Sequence, residues 1–339
     1  MTFTPAQPFH APPHLTDQFH RTVSYLRVSV TDRCNLRCRY CMTGETRWLP
    51  KHAILTLEEL HRVVSIGAGL GIDKVRLTGG EPLCRRGIVD LVANICRIPG
   101  LDDIALTTNG TLLAGMAQPL ARAGLGRINI SLDTLDTHAF GRITGRDLWE
   151  DAWQGITSAQ AAGMAPVKIN TVVMRGVNDD QIKPLALLTR QYPFHVRFIE
   201  YMPIGIDPRQ GQPNFMAVDE IQMRVAELGE LLPIDHQPSD GPAQRFRLAG
   251  AAGEIGLIGS MSAHFCSRCN RIRLTADGHL RPCLLSDDQV DLITPLRRGA
   301  TDDDIAALFA ETTARKQGGH RLRFNENRRL RSKMAGIGG

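Results

Sequence analysis

Two hydrophobic periods alternate along the first two-thirds of the chain. Short runs of alternating apolar and polar residues predict strands at residues 25–31, 74–78, 104–108, 127–133, 167–174 and 195–201. Segments with the helical period lie between them, at residues 57 to about 70, 88–96, from about 112, 152–162 and 178 to about 190. Successive strand–helix units predict parallel βα units. Because no dinucleotide-binding fingerprint occurs, we expect a barrel, complete or partial.

The pattern changes at both ends of this region. Residues 1–22 are rich in Pro and His and show no period, so we expect a mobile leader. After about residue 225 the rhythm gives way to short strand-like runs. We therefore predict a leader over residues 1–22, an α/β partial barrel over 23–225 and a smaller C-terminal domain over 226–339.

Composition narrows the class of protein. The chain has 339 residues, of which 42% are hydrophobic and 22% charged, as in ordinary globular proteins. No apolar run is long enough to span a membrane, and no secretory signal pattern is present. We therefore expect a cytoplasmic protein without a membrane partner. Aromatic residues make up only 5%, which argues against a stacking platform for single-stranded nucleic acid.

The positive charge is concentrated near the C-terminus. The chain has 40 Lys and Arg residues against 35 Asp and Glu residues, a net charge of +5. Residues 315–339 contain eight Lys or Arg residues and one acid, Glu326. Such a run either binds an anion or is a solvated basic tail, and its position in the sequence does not choose between them.

Polar residues fall at the predicted carboxyl ends of the strands, where barrels of parallel strands hold their chemistry. These candidates are Cys34, Gly79–Pro82, Thr107, Asn109, Ser131, Asp133, Glu200 and Met202. Lys168 and Asn170 lie along the fifth predicted strand.

Six of the eight cysteines form two triplets, which in a reducing compartment indicates metal binding or catalysis rather than disulfides. The first triplet is Cys34, Cys38 and Cys41, with the spacing C-x3-C-x2-C. Three thiolates can hold three irons of a four-iron cluster and leave the fourth iron open. The alternative is a zinc site with a distant fourth ligand. We expect Cys84 and Cys96 to be small buried hydrophobic residues.

The second triplet has the spacing C-x2-C-x13-C. It consists of Cys266, Cys269 and Cys283. His264 could complete a zinc site of three cysteines and one histidine, so zinc and iron–sulfur both remain open here.

Basic residues surround the second triplet and recur on the predicted strands. Arg271 and Arg273 alternate, which places both on one face of a strand and favours a shared anion. Arg268 and Arg281 lie nearby in the sequence. Inward-facing cations are predicted at Arg27, Lys74, Arg76, Lys168 and Arg197. Buried cations are costly unless paired, so we expect a polyanion such as a nucleoside triphosphate, although no P-loop motif is present.

The first triplet, with Tyr40 inside it and Gly79–Pro82 after the second strand, resembles the signature of the radical S-adenosylmethionine (radical SAM) superfamily. Further segments resemble the GTP 3′,8-cyclases of molybdenum cofactor biosynthesis, a family within it, from about Thr22 to Gly339. These segments are TTNG (107–110), NISLD (129–133), FIEYMPIG (198–205), the stretch 265–284 and the terminal Gly338-Gly339.

The resemblance implies a partial (β/α)6 barrel, two [4Fe-4S] clusters and S-adenosylmethionine. Each triplet would hold one cluster, and the open iron of the second would bind guanine. A 5′-deoxyadenosyl radical would remove the ribose C3′ hydrogen, and C3′ would then attack guanine C8. By resemblance, Tyr40, Gly80, Ser131 and Met202 would line the S-adenosylmethionine site. The substrate positions would be Arg27, Arg76, Thr107, Lys168, Arg271 and Arg273, and Gly338 and Gly339 would assist catalysis.

The same resemblance implies partners. They are GTP, an electron donor such as flavodoxin or ferredoxin, and downstream cyclic pyranopterin monophosphate synthase. No nucleic acid or membrane partner is expected, and the chain would be a monomer or homodimer. Two alternatives are a radical SAM peptide maturase with an auxiliary cluster, and a zinc- and nucleic-acid-binding protein. The maturases usually carry more C-terminal cysteines, and the zinc protein would bind with a strong dependence on salt.

Overall fold

The computed structural model describes residues 14–42, 48–206, 208–235, 240–326, 329–332 and 334–338. The strands within these ranges are β1 (Leu15–Thr16), β2 (Thr22–Val23), β3 (Tyr25–Ser29), β4 (Lys74–Thr78), β5 (Asp103–Thr108), β6 (Arg127–Ser131), β7 (Val167–Val173), β8 (His195–Glu200), β9 (Leu231–Ile234), β10 (Gln244–Leu248), β11 (Glu254–Ile258), β12 (Arg271–Leu274), β13 (His279–Arg281) and β14 (Val290–Asp291).

Helices connect most of the long strands. They are α1 (Leu57–Gly69), α2 (Ile88–Ile95), α3 (Ala117–Arg122), α4 (Thr137–Thr144), α5 (Trp149–Ala161), α6 (Ile182–Gln191), α7 (Pro208–Gly211), α8 (Val218–Ala226), α9 (Ile293–Arg297), α10 (Asp302–Ala314) and α11 (Met334–Ile337). In the described part of the chain, none is long and apolar enough to cross a membrane.

One large, mostly parallel sheet organises the molecule, and it is not closed into a full barrel. Its strand order is β14-β13-β12-β3-β4-β5-β6-β7-β8-β11-β10-β9. The six strands from β3 to β8 are parallel and adjacent in chain order. The C-terminal part of the chain supplies the next strand on each side, because β12 is parallel to β3 and β11 is parallel to β8. This agrees with the expected partial barrel.

Alternation along the strands decides which side chains reach the interior. In β7, Val167, Ile169 and Val173 are buried, whereas Lys168 and Asn170 are only half-buried. The apolar set belongs to the main hydrophobic core, and the polar set lines a cavity. Successive side chains of a strand point to opposite faces, so this one pattern builds both the core and the site.

Two local predictions differ from the structure, and one helix is additional to the prediction. The helix expected from about residue 112 begins at Ala117, because the chain first makes a turn after Asn109-Gly110. Asn178 does not cap a helix with its side chain. Instead its amide donates to the carbonyl oxygens of Asp133 and Val172, both at 2.9 Å. Helix α4 was not predicted.

Part of the predicted leader packs against the C-terminal region. Residues 1–13 lie outside the described part of the chain, and β1 and β2 form a hairpin. Arg21 pairs with Asp17 at 2.6 Å and donates to the carbonyl oxygens of Cys266 at 2.5 Å and Gln317 at 2.8 Å. These long-range partners leave no periodic signal in the sequence. The hairpin therefore braces the segment that carries the second triplet.

Candidate active site

A single cavity brings together the residues that the sequence singled out. Its volume is about 330 Å³, in the range of small-molecule sites. All six cysteines of the two triplets line it, together with the predicted S-adenosylmethionine and substrate positions. These positions are Tyr40, Gly80, Ser131, Met202, Arg27, Arg76, Thr107, Lys168, Arg271 and Arg273.

The first triplet lies on the loop after β3. The Sγ of Cys34 accepts hydrogen bonds from the Leu36 amide at 3.4 Å and the Asn109 side chain at 3.8 Å. Burial raises the pKa of Cys34 to about 11 and that of Cys41 to about 12. Thiolates at these positions therefore need a positive partner, and iron supplies one. The donor set fits a cluster ligated by three thiolates.

The Gly79–Pro82 loop is pressed against this cysteine loop. A Cβ atom on Gly80 would lie 2.3 Å from the carbonyl oxygen of Arg33, so no side chain fits there. The buried Glu81 carboxylate accepts hydrogen bonds from the Thr108 hydroxyl and the Asn109 amide, both at 2.7 Å. Burial raises the pKa of Glu81 to about 7. Glu81 thus ties the glycine loop to the carboxyl end of β5.

Asp133 orients the aromatic ring inside the first triplet. The Tyr40 hydroxyl donates to Asp133 Oδ2 at 2.8 Å, and the Val172 amide donates to Oδ1 at 2.9 Å. Burial raises the pKa of Asp133 to about 6. Ser131 ends β6 nearby, and Met202 follows β8, so the four predicted S-adenosylmethionine positions lie around the same end of the strands.

Glu200, another candidate at a strand end, does not line the cavity. It is fully buried and accepts hydrogen bonds from the amides of Val218 at 2.7 Å, Met261 at 2.6 Å and Ser262 at 3.0 Å. It orders the loop that leads from β11 to the second triplet.

The predicted inward cations do project from the strands into the cavity. Arg27 and Arg76 face each other across β3 and β4, and Lys168 and Arg197 lie on β7 and β8. Burial, with the nearby charges of Arg197 and other cations, lowers the pKa of Lys168 to about 6. The expectation of unmatched cations was too broad, because Lys74 pairs with Asp103 at 2.6 Å and Arg127 pairs with the same carboxylate.

Several buried polar atoms in the cavity wall have no hydrogen-bond partner among the described residues. They are Nε of Arg76, Oγ1 of Thr107 and Oδ1 of Asn170. Buried polar groups are normally satisfied. These atoms therefore mark the wall as a surface for a polar ligand.

The second triplet lies at the opposite end of the parallel strands. Cys269 precedes β12, whose first residue, Arg271, pairs with Tyr25 at the start of β3. Cys34 follows the far end of β3. Because β3 has five residues, at about 3.3 Å per residue, the two ends are roughly 16 Å apart. Sequence reasoning placed the second triplet in the C-terminal domain without saying where it meets the strands, and the register shows that it lies at the end opposite the first triplet.

Arg271 and Arg273 behave differently from the other arginines near the second triplet. The Arg271 guanidinium lies over the Phe265 ring at 4.8 Å, and Arg273 is 4% exposed. Arg281 is buried but turned away from the cavity, where it donates to the Ser286 carbonyl oxygen and the Ser332 hydroxyl. Arg268 is exposed. Of these four arginines, Arg271 and Arg273 line the cavity, whereas Arg268 and Arg281 do not.

Lys316 is a functional candidate that sequence reasoning missed within the basic C-terminal run. Its Nζ lies 3.9 Å from Cys269 Sγ. Burial opposes ionisation of Cys269, but the positive charges of Arg271 and Lys316 outweigh it and lower the pKa to about 6. No local pattern could have shown this, since the two residues are 47 positions apart.

The tail reaches the cavity residues. Arg273 donates to the carbonyl oxygen of Gly338 at 2.5 Å, and a Cβ on Gly338 would lie 2.3 Å from Thr78 Oγ1. Ile337 packs with Ile204 and Leu285. Gly339, predicted with Gly338 to assist catalysis, lies outside the described residues.

Three other cysteine and histidine predictions have clear outcomes. Cys84 is exposed and Cys96 is half-buried, so neither is the fully buried residue that we expected. The His264 ring packs edge to face on His320. Among the described residues, no three His, Cys, Asp or Glu side chains are grouped to hold one metal ion. A four-iron cluster does not need three side chains around one metal ion, because each of its thiolate ligands binds a separate iron atom.

Comparison with known proteins identifies the family to which the chain belongs. Residues 28–188 match the family model of the radical SAM superfamily, and residues 194–322 match that of Molybdenum Cofactor Synthesis C. The GTP 3′,8-cyclase of Moorella thermoacetica is 48% identical over 96% of this chain and all of the relative. That of Pelotomaculum thermopropionicum is 49% identical over the same shares. The chain belongs to the GTP 3′,8-cyclase family. It is therefore a radical SAM enzyme, a class that uses a [4Fe-4S] cluster and S-adenosylmethionine.

A solved structure supports the fold of this family member. Streptococcus suis SuiB bound to S-adenosylmethionine matches with a TM-score of 0.62 and 14% identity, over 87% of this chain and 69% of SuiB. At this identity the match bears on the fold alone, which is the radical SAM fold.

Proposed function

We propose that this chain converts GTP to (8S)-3′,8-cyclo-7,8-dihydroguanosine 5′-triphosphate in molybdenum cofactor biosynthesis. The observation that carries the proposal is one cavity with a thiol triplet at each end of its parallel strands and buried cations between them. A substrate held there would have one part near each triplet, with its charge on the cations.

We assign the first [4Fe-4S] cluster to Cys34, Cys38 and Cys41. When bound, the cluster and S-adenosylmethionine supply the radical that takes the hydrogen atom from ribose C3′. The protein holds this end rigid, because Glu81 fixes the glycine loop and Asp133 fixes Tyr40. Exposed backbone at Gly79 and Gly80 would receive the methionine part, since close approach of a ligand requires glycine.

We assign a second [4Fe-4S] cluster to Cys266, Cys269 and Cys283. All three line the cavity, and the cationic surroundings of Cys269 suit a thiolate ligand. An iron without a protein ligand would face the cavity and could bind guanine there. Guanine C8 and ribose C3′ would then be held in one orientation while the bond between them forms.

We assign the triphosphate to the cations of the strands. Arg27, Arg76, Lys168, Arg271 and Arg273 line the cavity, and guanidinium groups match phosphate oxygens in a bidentate manner. Thr107 Oγ1 has no hydrogen-bond partner among the described side chains and would complete the set. Binding energy from this remote part of the substrate would position the ribose.

We further propose flavodoxin or ferredoxin as the electron donor and cyclic pyranopterin monophosphate synthase as the next enzyme. Both proposals are based on the membership of this chain in the GTP 3′,8-cyclase family. The three-part division into residues 1–22, 23–225 and 226–339 also remains a proposal, as does the monomeric or homodimeric state.

One experiment tests the proposed function. The protein is reconstituted anaerobically with iron and sulfide, reduced with dithionite and given S-adenosylmethionine, with and without GTP. We expect 5′-deoxyadenosine to rise strongly with GTP, together with a new isomer of GTP detected by chromatography and mass spectrometry. The control is the same protein without dithionite.

The other outcomes are equally informative. If S-adenosylmethionine is cleaved equally with and without GTP, the assignment as a radical SAM enzyme stands, but GTP is not its substrate. Reconstituted protein that cleaves no S-adenosylmethionine would overturn the assignment of the first triplet.

A further inference from the structure

Lys316 connects the two chain segments that carry the second triplet. It follows α10, and the residue is 3% exposed. Its Nζ donates to the carbonyl oxygens of Arg271 at 2.8 Å and Pro282 at 3.2 Å. Arg271 comes two residues after Cys269, and Pro282 immediately precedes Cys283. One side chain therefore sets the spacing between the two segments.

The charge of Lys316 has no carboxylate partner in the described part of the chain. No ion pair joins it to an Asp or Glu residue there, and its Nζ lies 3.9 Å from Cys269 Sγ. A buried charge is costly unless it is paired. The pairing available to this ammonium group is with the thiolates of the triplet.

The N-terminal hairpin holds Lys316 in place. The Gln18 side chain donates to the Lys316 carbonyl oxygen at 3.0 Å. Arg21 donates to the next carbonyl oxygen, of Gln317, and to that of Cys266. The backbone at Lys316 and at Cys266 is thus fixed by the same hairpin, which keeps the ammonium group beside the triplet.

We propose that Lys316 is a positioning residue of the second triplet, which fixes Cys269 relative to Cys283 and stabilises the reduced form of the cluster bound there. The inference rests on the proposed function, because it requires a cluster at this triplet. Reduction adds negative charge to the cluster. A positive charge and a hydrogen bond at a ligating sulfur favour that state and raise the reduction potential.

The test uses the full chain in which Cys34, Cys38 and Cys41 are replaced by serine, so that only the second triplet can bind a cluster. Iron and sulfide are measured after anaerobic reconstitution, and the midpoint potential is measured by a redox titration followed by electron paramagnetic resonance. In this background, Lys316→Met should lower the midpoint potential or reduce the iron bound per chain. Lys316→Arg keeps the charge, so its midpoint potential and iron content should stay close to those of the background chain with Lys316.

Arg315→Met is the matched control. Arg315 is the adjacent residue, but it is exposed and pairs with Asp288 and Glu311. The Arg315→Met substitution removes one positive charge, as Lys316→Met does, and should leave iron content and midpoint potential unchanged. Circular dichroism of each variant separates a lost fold from a lost contact.

The outcomes are distinct. Unchanged iron content and potential in Lys316→Met would overturn the role of Lys316 while the second cluster stands. If Lys316→Met and Lys316→Arg lost equal amounts of iron while keeping a native circular dichroism spectrum, the shape of the Lys316 side chain would matter and not its charge. That result would overturn the proposal that the charge of Lys316 stabilises the reduced cluster. A background chain that binds no iron or sulfide would overturn the second cluster itself, and the inference with it.

Discussion

The environment of Lys168 in the cavity wall favours the neutral form of its amine. Burial and the surrounding cations lower its pKa to about 6, so in the free protein the amine is mostly neutral at pH 7.5. A bound polyanion stabilises the charged form and raises this pKa. Ligand binding and proton uptake are therefore coupled at this residue.

We expect GTP binding at pH 7.5 to take up about one proton through Lys168, since its pKa rises from below to above the pH of the solution. Titration calorimetry in two buffers of different ionisation enthalpy measures this uptake. Lys168→Met should abolish it. Lys183→Met is the control, because Lys183 is only partly buried and pairs with Glu227 outside the cavity. Equal uptake in both variants would contradict the assignment.

Arg271 and Arg273 should each contribute to substrate use. Loss of a charged hydrogen bond costs about 1.5–3 kcal/mol, so Arg271→Ala or Arg273→Ala should raise the KM for GTP by roughly 10- to 100-fold. Steady-state kinetics gives the KM, and iron content serves as the check on the clusters. Arg268→Ala, at an exposed position, is the control. Wild-type kinetics in the first two variants would remove both residues from the substrate site.

At the level of elements, the sequence predicted the central strands well and their connections less well. Alternation is a local property, and the strands that it predicted, such as residues 74–78, match the structure. The start of α3 depends on a turn, and Asn178 bonds to distant carbonyl oxygens, so neither follows from a period. The resemblance to a known family supplied the site residues. The position of Lys316 depends on how the segment after α10 packs on the second triplet. The pairing of Lys74 with Asp103 depends on the register of β4 and β5.

The close approach of two loops gives an element-scale prediction. In Gly80→Ala, the new methyl group would meet the Arg33 carbonyl oxygen at 2.3 Å, so the glycine loop or the cysteine loop must move. We expect the free energy of unfolding to fall by about 1–3 kcal/mol. Uncoupled cleavage of S-adenosylmethionine should slow roughly 100-fold, because displaced reactants react poorly.

Gly126→Ala is the matched control for this prediction. A Cβ on Gly126 meets nothing within 4 Å. Chemical denaturation and 5′-deoxyadenosine release are measured on both variants. Equal stability and equal cleavage would show that the two loops tolerate separation.

For the whole molecule, the two triplets lie at opposite ends of one set of strands, so their roles should separate. Cys269→Ser should spare uncoupled cleavage of S-adenosylmethionine at the first triplet and abolish cyclisation of GTP. The measurement is 5′-deoxyadenosine and cyclised product from the same reaction. Cyclisation that persists would mean that the second triplet does not anchor the substrate. Cys84→Ser, at an exposed cysteine outside both triplets, is the control.

The placement of β11 and β12 also has a consequence for how the chain folds during synthesis. Both outer strands of the six-stranded parallel core pair with segments near residues 254–274. Until the ribosome has released those segments, β3 and β8 expose unpaired edges, which invite pairing with other chains. We therefore expect a nascent chain halted before residue 254 to need a chaperone, and one halted well after residue 274 to be released from it.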